Sequence, residues 1–323
     1  MINTRKGHML KVSILMPMRN TERYVRDAVM SVLNQEGGDV DLVVVDDEST
    51  DRSLATVESI ADPRIKLLSG GGRGVSVAWN TAFANAIGDI IMQCDSDDLY
   101  PRGRVAWQLG FLTQHAEFGA VCGGFSTIEA TGRKITDLFN GTSVGEEITE
   151  ELLNGVTRTS LCTFAVRRRY LERIGGKREY FESAEDIDLQ IRLAEVCRVW
   201  FEPRSFYSYR LHDKSITHRQ ASARRTFYEQ YARELRKQRT LGNADDLERG
   251  QAREPPGTDS PPDRSAKQIQ GMLLGEAWQR HARGSKILAI KLGLRALFQA
   301  PLDISIWRSL AALVIKPVRS SGK

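Results

Sequence analysis

The chain has 323 residues, 41% hydrophobic and 27% charged, with a net charge of +5, which is the balance of a globular protein large enough for one α/β domain and an appendage. No run reaches the roughly eighteen apolar residues of a spanning helix, and residues 1–10 have no apolar stretch behind a cleavage-like site, so neither a membrane-crossing segment nor a secretion signal is expected. Cys94, Cys122, Cys162 and Cys197 form no Cys-x-x-Cys pair, which argues against a zinc knuckle or disulfide framework and reads as buried thiols of a cytoplasmic protein.

Short β-branched runs at 12–16, 41–45, 65–68 and 89–94 predict strands. Between them Tyr24, Ala28 and Val32, then Val75, Trp79 and Phe83, recur at helical spacing and predict crossover helices over a mostly parallel sheet. A helix over 102–115 follows, and a hairpin from 120–127 turning at Thr131-Gly132 makes the sheet mixed. Residues 185–196 predict a helix with Ile187 and Ile191 inward, and 199–201 and 206–211 predict two final strands that end the core at Thr217.

The rest of the chain differs in composition. Up to Thr217 there are 26 Lys plus Arg against 31 Asp plus Glu; after it, 20 against 10, so a front of −5 precedes a back of +10. Such a split marks either a tail that meets a polyanion or a soluble basic surface. The pattern divides into a domain at 1–217, a basic helix at 218–241, a flexible linker at 242–266 holding Pro255, Pro256, Pro261 and Pro262, and a basic helical region at 267–323, broken at Pro301.

The chemistry sits where strands end, which is where open α/β sheets bind ligands. The first strand ends in Pro17-Met18-Arg19-Asn20, and the second in Asp46-Asp47-Glu48-Ser49-Thr50-Asp51, with Ser49 or Thr50 able to cap the next helix and Asp51 read as a helix cap. A carboxylate at such a mouth can accept from a nucleobase imide or ribose hydroxyls. The fourth strand ends in Asp95-Ser96-Asp97-Asp98, three carboxylates that repel one another unless a cation sits among them. Mg2+ or Mn2+ shared with substrate phosphates is the expected occupant.

The segments 12–20, 44–51 and 95–98 together resemble the family 2 glycosyltransferases of GT-A fold, over about residues 11–217. The resemblance implies an α/β fold with a mixed, mostly parallel sheet sandwiched by helices, here with a helical C-terminal appendage. It also implies inverting transfer from a nucleotide sugar, by default a UDP sugar, to a glycan or lipid-linked glycan hydroxyl in cell-surface polysaccharide or lipopolysaccharide synthesis. Pro17 and Asp47 would hold the base, with Arg19 in the same loop; Asp95 would lie near the ribose and Asp97 would bind the metal. Glu185-Asp186 resembles the family's Glu-Asp segment, whose Asp is the general base that an inverting transfer needs; Asp188 complements the helix dipole. Tyr209-Arg210-Leu211-His212 resembles the segment closing the donor site, where His212 ligates the metal or touches phosphate.

The sequence departs from the family pattern twice. Trp79 rather than Arg precedes Asn80, which the resemblance places with Glu185 among the substrate-binding residues, so Arg73 in the loop 70–74 is a substitute for that charge and a further substrate contact, and Glu48 stands where Gly is common. A dehydrogenase is excluded because no Gly-x-Gly-x-x-Gly follows the first strand. A nucleotidyltransferase on a related fold, or a catalytically silent sugar-nucleotide or polysaccharide-binding module, are the alternatives. No nucleic-acid recognition motif is present. Basic residues set among Leu, Ile and Trp after Ser265 fit either an anionic membrane surface, which would put the protein peripherally on the inner face, or a bundle packed on the core.

Overall fold

The computed structural model describes residues 10–138, 143–212, 222–242, 244–257, 265–282, 284–299, 301 and 303–317. They fall into two units: Met1–Phe125, Leu138–Tyr209 and Ala223–Gly257 in the first, and Ser126–Asp137, Arg210–Ser222 and Thr258–Lys323 in the second. The segment 213–217, with the expected core boundary, lies outside the described residues, as do Pro261 and Pro262.

The first unit opens with β1 (Lys11–Met18), α1 (Val25–Leu33), β2 (Asp39–Asp46), α2 (Ser53–Glu58), β3 (Ile65–Ser69), α3 (Val75–Asn85) and β4 (Ile90–Gln93). These four strands pair in parallel in the order β3-β2-β1-β4. The near-unbroken apolar runs of β1 and β2 follow from helices covering both faces. Alternate side chains go to different cores: Val12, Ile14 and Met16 join one, Leu15, Val43 and Val45 the other. The chain winds outward from β1 to β3, then crosses back to place β4 on the other side of β1. That reversal opens a crevice at the carboxyl ends of β1 and β4.

Beyond β4 come α4 (Arg104–Gln114), β5 (Phe118–Glu129), β6 (Lys134–Leu138), β7 (Glu146–Glu147), α5 (Thr149–Leu153), a 3-10 turn (Leu161–Thr163), β8 (Ala165–Arg167), α6 (Arg168–Ile174), α7 (Glu185–Ala194) and β9 (Arg198–Leu211). The sheet continues β4-β8-β5-β9-β7, with β6 paired to β5 as the expected hairpin, and β8 runs antiparallel to both β4 and β5. The architecture is the mixed, mostly parallel α/β sheet expected. Two details differ. The expected pair of closing strands is one 14-residue strand, β9, and three-residue β8 is too short to leave a periodic signal.

The basic helix α8 (Ser222–Thr240) belongs largely to the first unit. Tyr228, Tyr231, Ala232 and Leu235 pack against Phe181, Ile187 and Ile191. Its arginines neutralise carboxylates there: Arg224 pairs with Glu182 at 2.8 Å, while Arg236 and Arg239 pair with Glu195 at 3.3 and 2.8 Å. Residues 244–257, read from sequence as linker, are anchored through buried Asp245, which pairs with Arg178 at 2.7 Å and with Arg239. The helix excess of positive charge is thus partly consumed within the fold.

In the second unit, α9 (Ser265–Ala282), α10 (Lys286–Gln299) and α11 (Ile304–Ile315) join the hairpin end. Glu276 accepts from Thr136 at 2.6 Å, and Arg295 pairs with Glu129 at 2.6 Å. Asp303 caps α11 by accepting from Ser305 N–H at 2.9 Å. A Cβ on Gly293 would lie 3.0 Å from Leu310, so glycine permits the close approach of α10 and α11. Among the described residues no helix is long and apolar enough to cross a membrane.

Candidate active site

The loops after β1, β2, β3 and β4 form one hydrogen-bonded frame. Asp47, 4% exposed, donates its N–H to Met18 O at 2.8 Å, and its carboxylate accepts from the N–H groups of Arg73 (3.0 Å) and Gly74 (2.9 Å). Arg19 lies 3.8 Å from the same carboxylate and is half exposed. Pro17 ends up beyond the last β1–β4 pair, Leu15↔Gln93, so its missing N–H costs no ladder bond at the crevice. Asn20 accepts from Thr50 N–H at 2.7 Å, and its own N–H donates to Ser49 Oγ at 3.0 Å. Ser49 and Thr50 therefore brace the first loop instead of capping α2, whose N-cap residue Arg52 makes no side-chain cap bond; Asp51, one residue earlier, accepts from Ser53 N–H at 2.9 Å. Thr21 carries the frame on by donating to Ser96 Oγ at 3.0 Å.

The carboxylate cluster follows β4. Asp95 accepts from Gln93 Nε2 at 2.7 Å and from the Cys162 thiol at 3.2 Å, while its N–H donates to Tyr207 OH at 2.9 Å. Burial first, and the neighbouring Asp97 carboxylate second, push the Asp95 carboxyl up from its ordinary range, against the pull of the Gln93 amide and the Lys177 ammonium. Asp97 is half-buried and Asp98 buried. Among the described residues no three His, Cys, Asp or Glu side chains converge as a protein-only metal cage. The mutual repulsion of Asp95 and Asp97 nevertheless suits a cation that takes its remaining ligands from phosphates. His212 follows β9 within the second unit's part of the chain and is buried.

Glu185 and Asp186 open α7 directly after Ala184, which is left-handed at φ 57°. Asn20 and Glu48 are the other described non-glycine residues with positive φ, 54° and 59°. All three flank residues singled out for chemistry, as stored backbone strain tends to do. Burial pushes the Asp186 carboxyl up to about 6, Glu185 adds to the rise, and Lys177 and Arg225 oppose it. Asp188 stands in the first turn of α7, as a dipole partner does, and is also a buried ion-pair member, 2.7 Å from Arg192, whose guanidinium donates to Ile174 O and Gly176 O at 2.7 and 2.8 Å.

Two expected ligands have other engagements. Asn80 donates to Lys177 O at 2.8 Å and accepts from Lys177 N–H at 2.9 Å, so it clamps that backbone. Arg73 contributes its N–H to Asp47 while its side chain is exposed. Sequence reasoning missed Lys177, whose side chain is wholly buried with Nζ 3.3 Å from Glu185, and Gln93, Cys162, Tyr207 and Arg225. A lysine following Gly175-Gly176 a few residues before Glu-Asp was the available signal.

A sequence model of glycosyl transferase family 2 matches residues 13–175, just over half the chain. The chain belongs to glycosyl transferase family 2. The match ends ten residues before Glu185, leaving Glu185, Asp186 and His212 beyond it. A Haemophilus influenzae glycosyltransferase is 36% identical over 107 residues, covering 32% of this chain and 43% of that protein. An Escherichia coli UDP-Glc:alpha-D-GlcNAc-diphosphoundecaprenol beta-1,3-glucosyltransferase is 35% identical over 105 residues, covering 32% and 42%. Pasteurella multocida chondroitin synthase is 29% identical over 187 residues, covering 57% and 19%; the matches thus span less than half of each of these relatives. The Staphylococcus aureus TarS 1-349 crystal structure in complex with UDP-GlcNAc is similar in fold, at TM-score 0.57 and 16% identity over 94% of this chain and 91% of that one.

Proposed function

We propose that this family 2 member is an inverting, metal-dependent glycosyltransferase that moves a sugar from a UDP sugar to a hydroxyl of a glycan or lipid-linked glycan during cell-surface polysaccharide synthesis. The observation that carries the reading is Asp186, a half-buried carboxylate at the start of α7 whose proton affinity is raised to about 6, where a general base works best near neutral pH. Its carboxylate takes the proton of the acceptor hydroxyl as that oxygen bonds to the anomeric carbon and the bond from that carbon to the donor phosphate oxygen breaks. Inversion follows from attack opposite the leaving group. Asp47, with Pro17 and Arg19, binds the nucleoside end, and Asp95 approaches the ribose. Asp97 would hold Mg2+ or Mn2+, which supplies neutralisation of the leaving diphosphate's charge. A UDP donor is supported by the TarS complex with UDP-GlcNAc, and a lipid-linked acceptor by the name of the E. coli relative.

The second unit supports an inner-leaflet location. Ile287, Leu294 and Phe298 are exposed along α10, and Ile304, Trp307 and Ile315 along α11, with Lys291, Arg308 and Lys316 exposed among them. Apolar stripes edged by cations suit an anionic lipid surface.

A panel of nucleotide sugars with lipid-linked acceptors, read by release of nucleoside diphosphate with and without Mn2+, tests the reading. Metal-stimulated release and product inverted at the anomeric carbon are expected; donor binding without any transfer would establish a binding module instead.

A further inference from the structure

Lys177 has no place in the scheme above, yet its surroundings are built. The side chain is wholly buried, with Nζ 3.3 Å from Glu185 Oε1 and 5.6 Å from the centroid of the Trp79 ring. Its backbone is gripped from both directions by the Asn80 amide. Gly176, left-handed at φ 71°, makes the grip possible, because a Cβ there would meet Asn80 Oδ1 at 2.7 Å. Arg192 donates to Gly176 O at 2.8 Å from α7, fixing the same turn against the helix that carries Glu185 and Asp186. A buried ammonium costs heavily in desolvation, and this one is held rigidly where its charge reaches both Asp95 and Asp186.

Resting on the reading of Asp186 as the base, we propose that Lys177 is a positioning residue for the transfer step. It engages Glu185 as an ion pair at the start of α7, so that Asp186 is the carboxylate left to take the acceptor proton. The charged groups that bear on Asp186 are Glu185 on its own helix, Lys177 from the turn after α6, and Arg225 from α8; Lys177 also faces Asp95, which Asp97 adjoins. Removing the ammonium leaves Glu185's negative charge uncompensated beside Asp186 and raises the affinity of Asp186 for its proton.

The test is carboxyl-carbon NMR titration of Asp186 in the full chain, with Asp186→Asn identifying the signal, alongside the pH profile of nucleoside diphosphate release. Lys177→Met should move the Asp186 midpoint up by about one pH unit from about 6, a tenfold change in proton affinity. The acid limb of the rate profile should follow it, while KM for the donor changes less than threefold; Lys177→Arg should restore the midpoint. Glu185→Gln, which keeps a polar residue at the helix start, should move the midpoint down. An unmoved Asp186 midpoint in folded Lys177→Met, or in Glu185→Gln if that variant alone folds, overturns the proposal. Near-normal turnover of Asp186→Asn would instead overturn the assignment of the base, so the two failures are distinguishable.

Discussion

The Asp47 carboxylate receives the N–H of Gly74 at 2.9 Å, joining the loop after β2 to the start of α3. Gly74 sits at φ 96° and ψ 170°, a conformation open to glycine and strained for other residues. Asp47→Ala should leave the Arg73 and Gly74 N–H groups unpaired, costing about 1–3 kcal/mol and weakening UDP binding. Gly74→Ala, which touches no ligand-facing side chain, should reproduce both effects in milder form. Thermal unfolding and UDP calorimetry check this; an unchanged UDP affinity in Asp47→Ala would remove Asp47 from the nucleotide site.

Asp97→Asn should abolish metal-dependent donor binding. The Asp97 charge is the second contributor to the raised proton affinity of Asp95, so the substitution should also let Asp95 ionise more readily. Calorimetry with Mn2+ and UDP in the wild type and variant reads the first effect directly, and unchanged Mn2+ affinity would reassign the metal ligand.

Asp186→Asn should lower turnover by roughly two to four orders of magnitude with donor affinity nearly intact, and it should also stabilise the fold. Because the Asp186 carboxyl is raised from 3.8 to about 6, the native state holds its proton longer than the unfolded chain does. The stability this contributes is present below pH 4 and lost as pH rises through 6. Asn has no proton to lose, so the variant should exceed the wild type at pH 8 by roughly 1–3 kcal/mol and match it near pH 4. Chemical denaturation at the two pH values decides it, and equal stability at pH 8 would contradict the raised affinity. The wild-type rate should fall as pH drops below about 6.

Arg192→Met should be strongly destabilising, by about 3–5 kcal/mol, since it strands the wholly buried Asp188. Arg178, 3.7 Å from Asp188, offsets only part of that loss. Replacing Asp188 and Arg192 together with Leu and Met should recover much of the stability, a double-mutant result that denaturant midpoints read out.

Much of this was legible in the sequence because the signals were local. Period and strand-end chemistry gave the four parallel strands, the Asp47 and Asp95–Asp98 loops, and the Glu185-Asp186 helix start, each within one stretch of chain. What escaped needed partners from distant stretches. Asn80 reads as a ligand on its helix until the turn after α6, 97 residues on, takes both its amide groups. Lys177 and Cys162 reach the site only through tertiary placement, and no periodicity marks a buried lysine. The basic character of α8 leaves a polyanion surface and a soluble one both open, because sequence does not reveal that Glu182 and Glu195 lie opposite its arginines.

With those arginines engaged, the remaining case for membrane contact rests on α10 and α11, and it can be tested by substitutions that leave the core alone. Phe298 is 81% exposed, Ile315 78% and Ile287 75%, and Trp307 is 53% exposed. Their helices pack through other side chains, Ala289, Leu292 and Ala296 on α10 and Ile306, Leu310 and Leu313 on α11, all buried. Of the exposed set, Trp307 donates its indole N–H to Pro301 O at 3.0 Å, and the stripe buried within the unit is not the one offered outward. Phe298→Glu combined with Trp307→Glu should lower the stability by no more than about 1 kcal/mol, the loss of the exposed Trp307–Pro301 bond included. The same pair should abolish pelleting with vesicles containing anionic phospholipid, because it removes aromatic insertion and adds charge repelled by the surface. Lys291→Gln with Arg308→Gln should weaken pelleting less and flatten its salt dependence, since each cation near such a surface contributes on the order of 1 kcal/mol and is screened at high ionic strength. Sedimentation with anionic and with zwitterionic vesicles separates the two contributions. A wild-type chain that stays in the supernatant with anionic vesicles at low salt would show that this face serves another purpose.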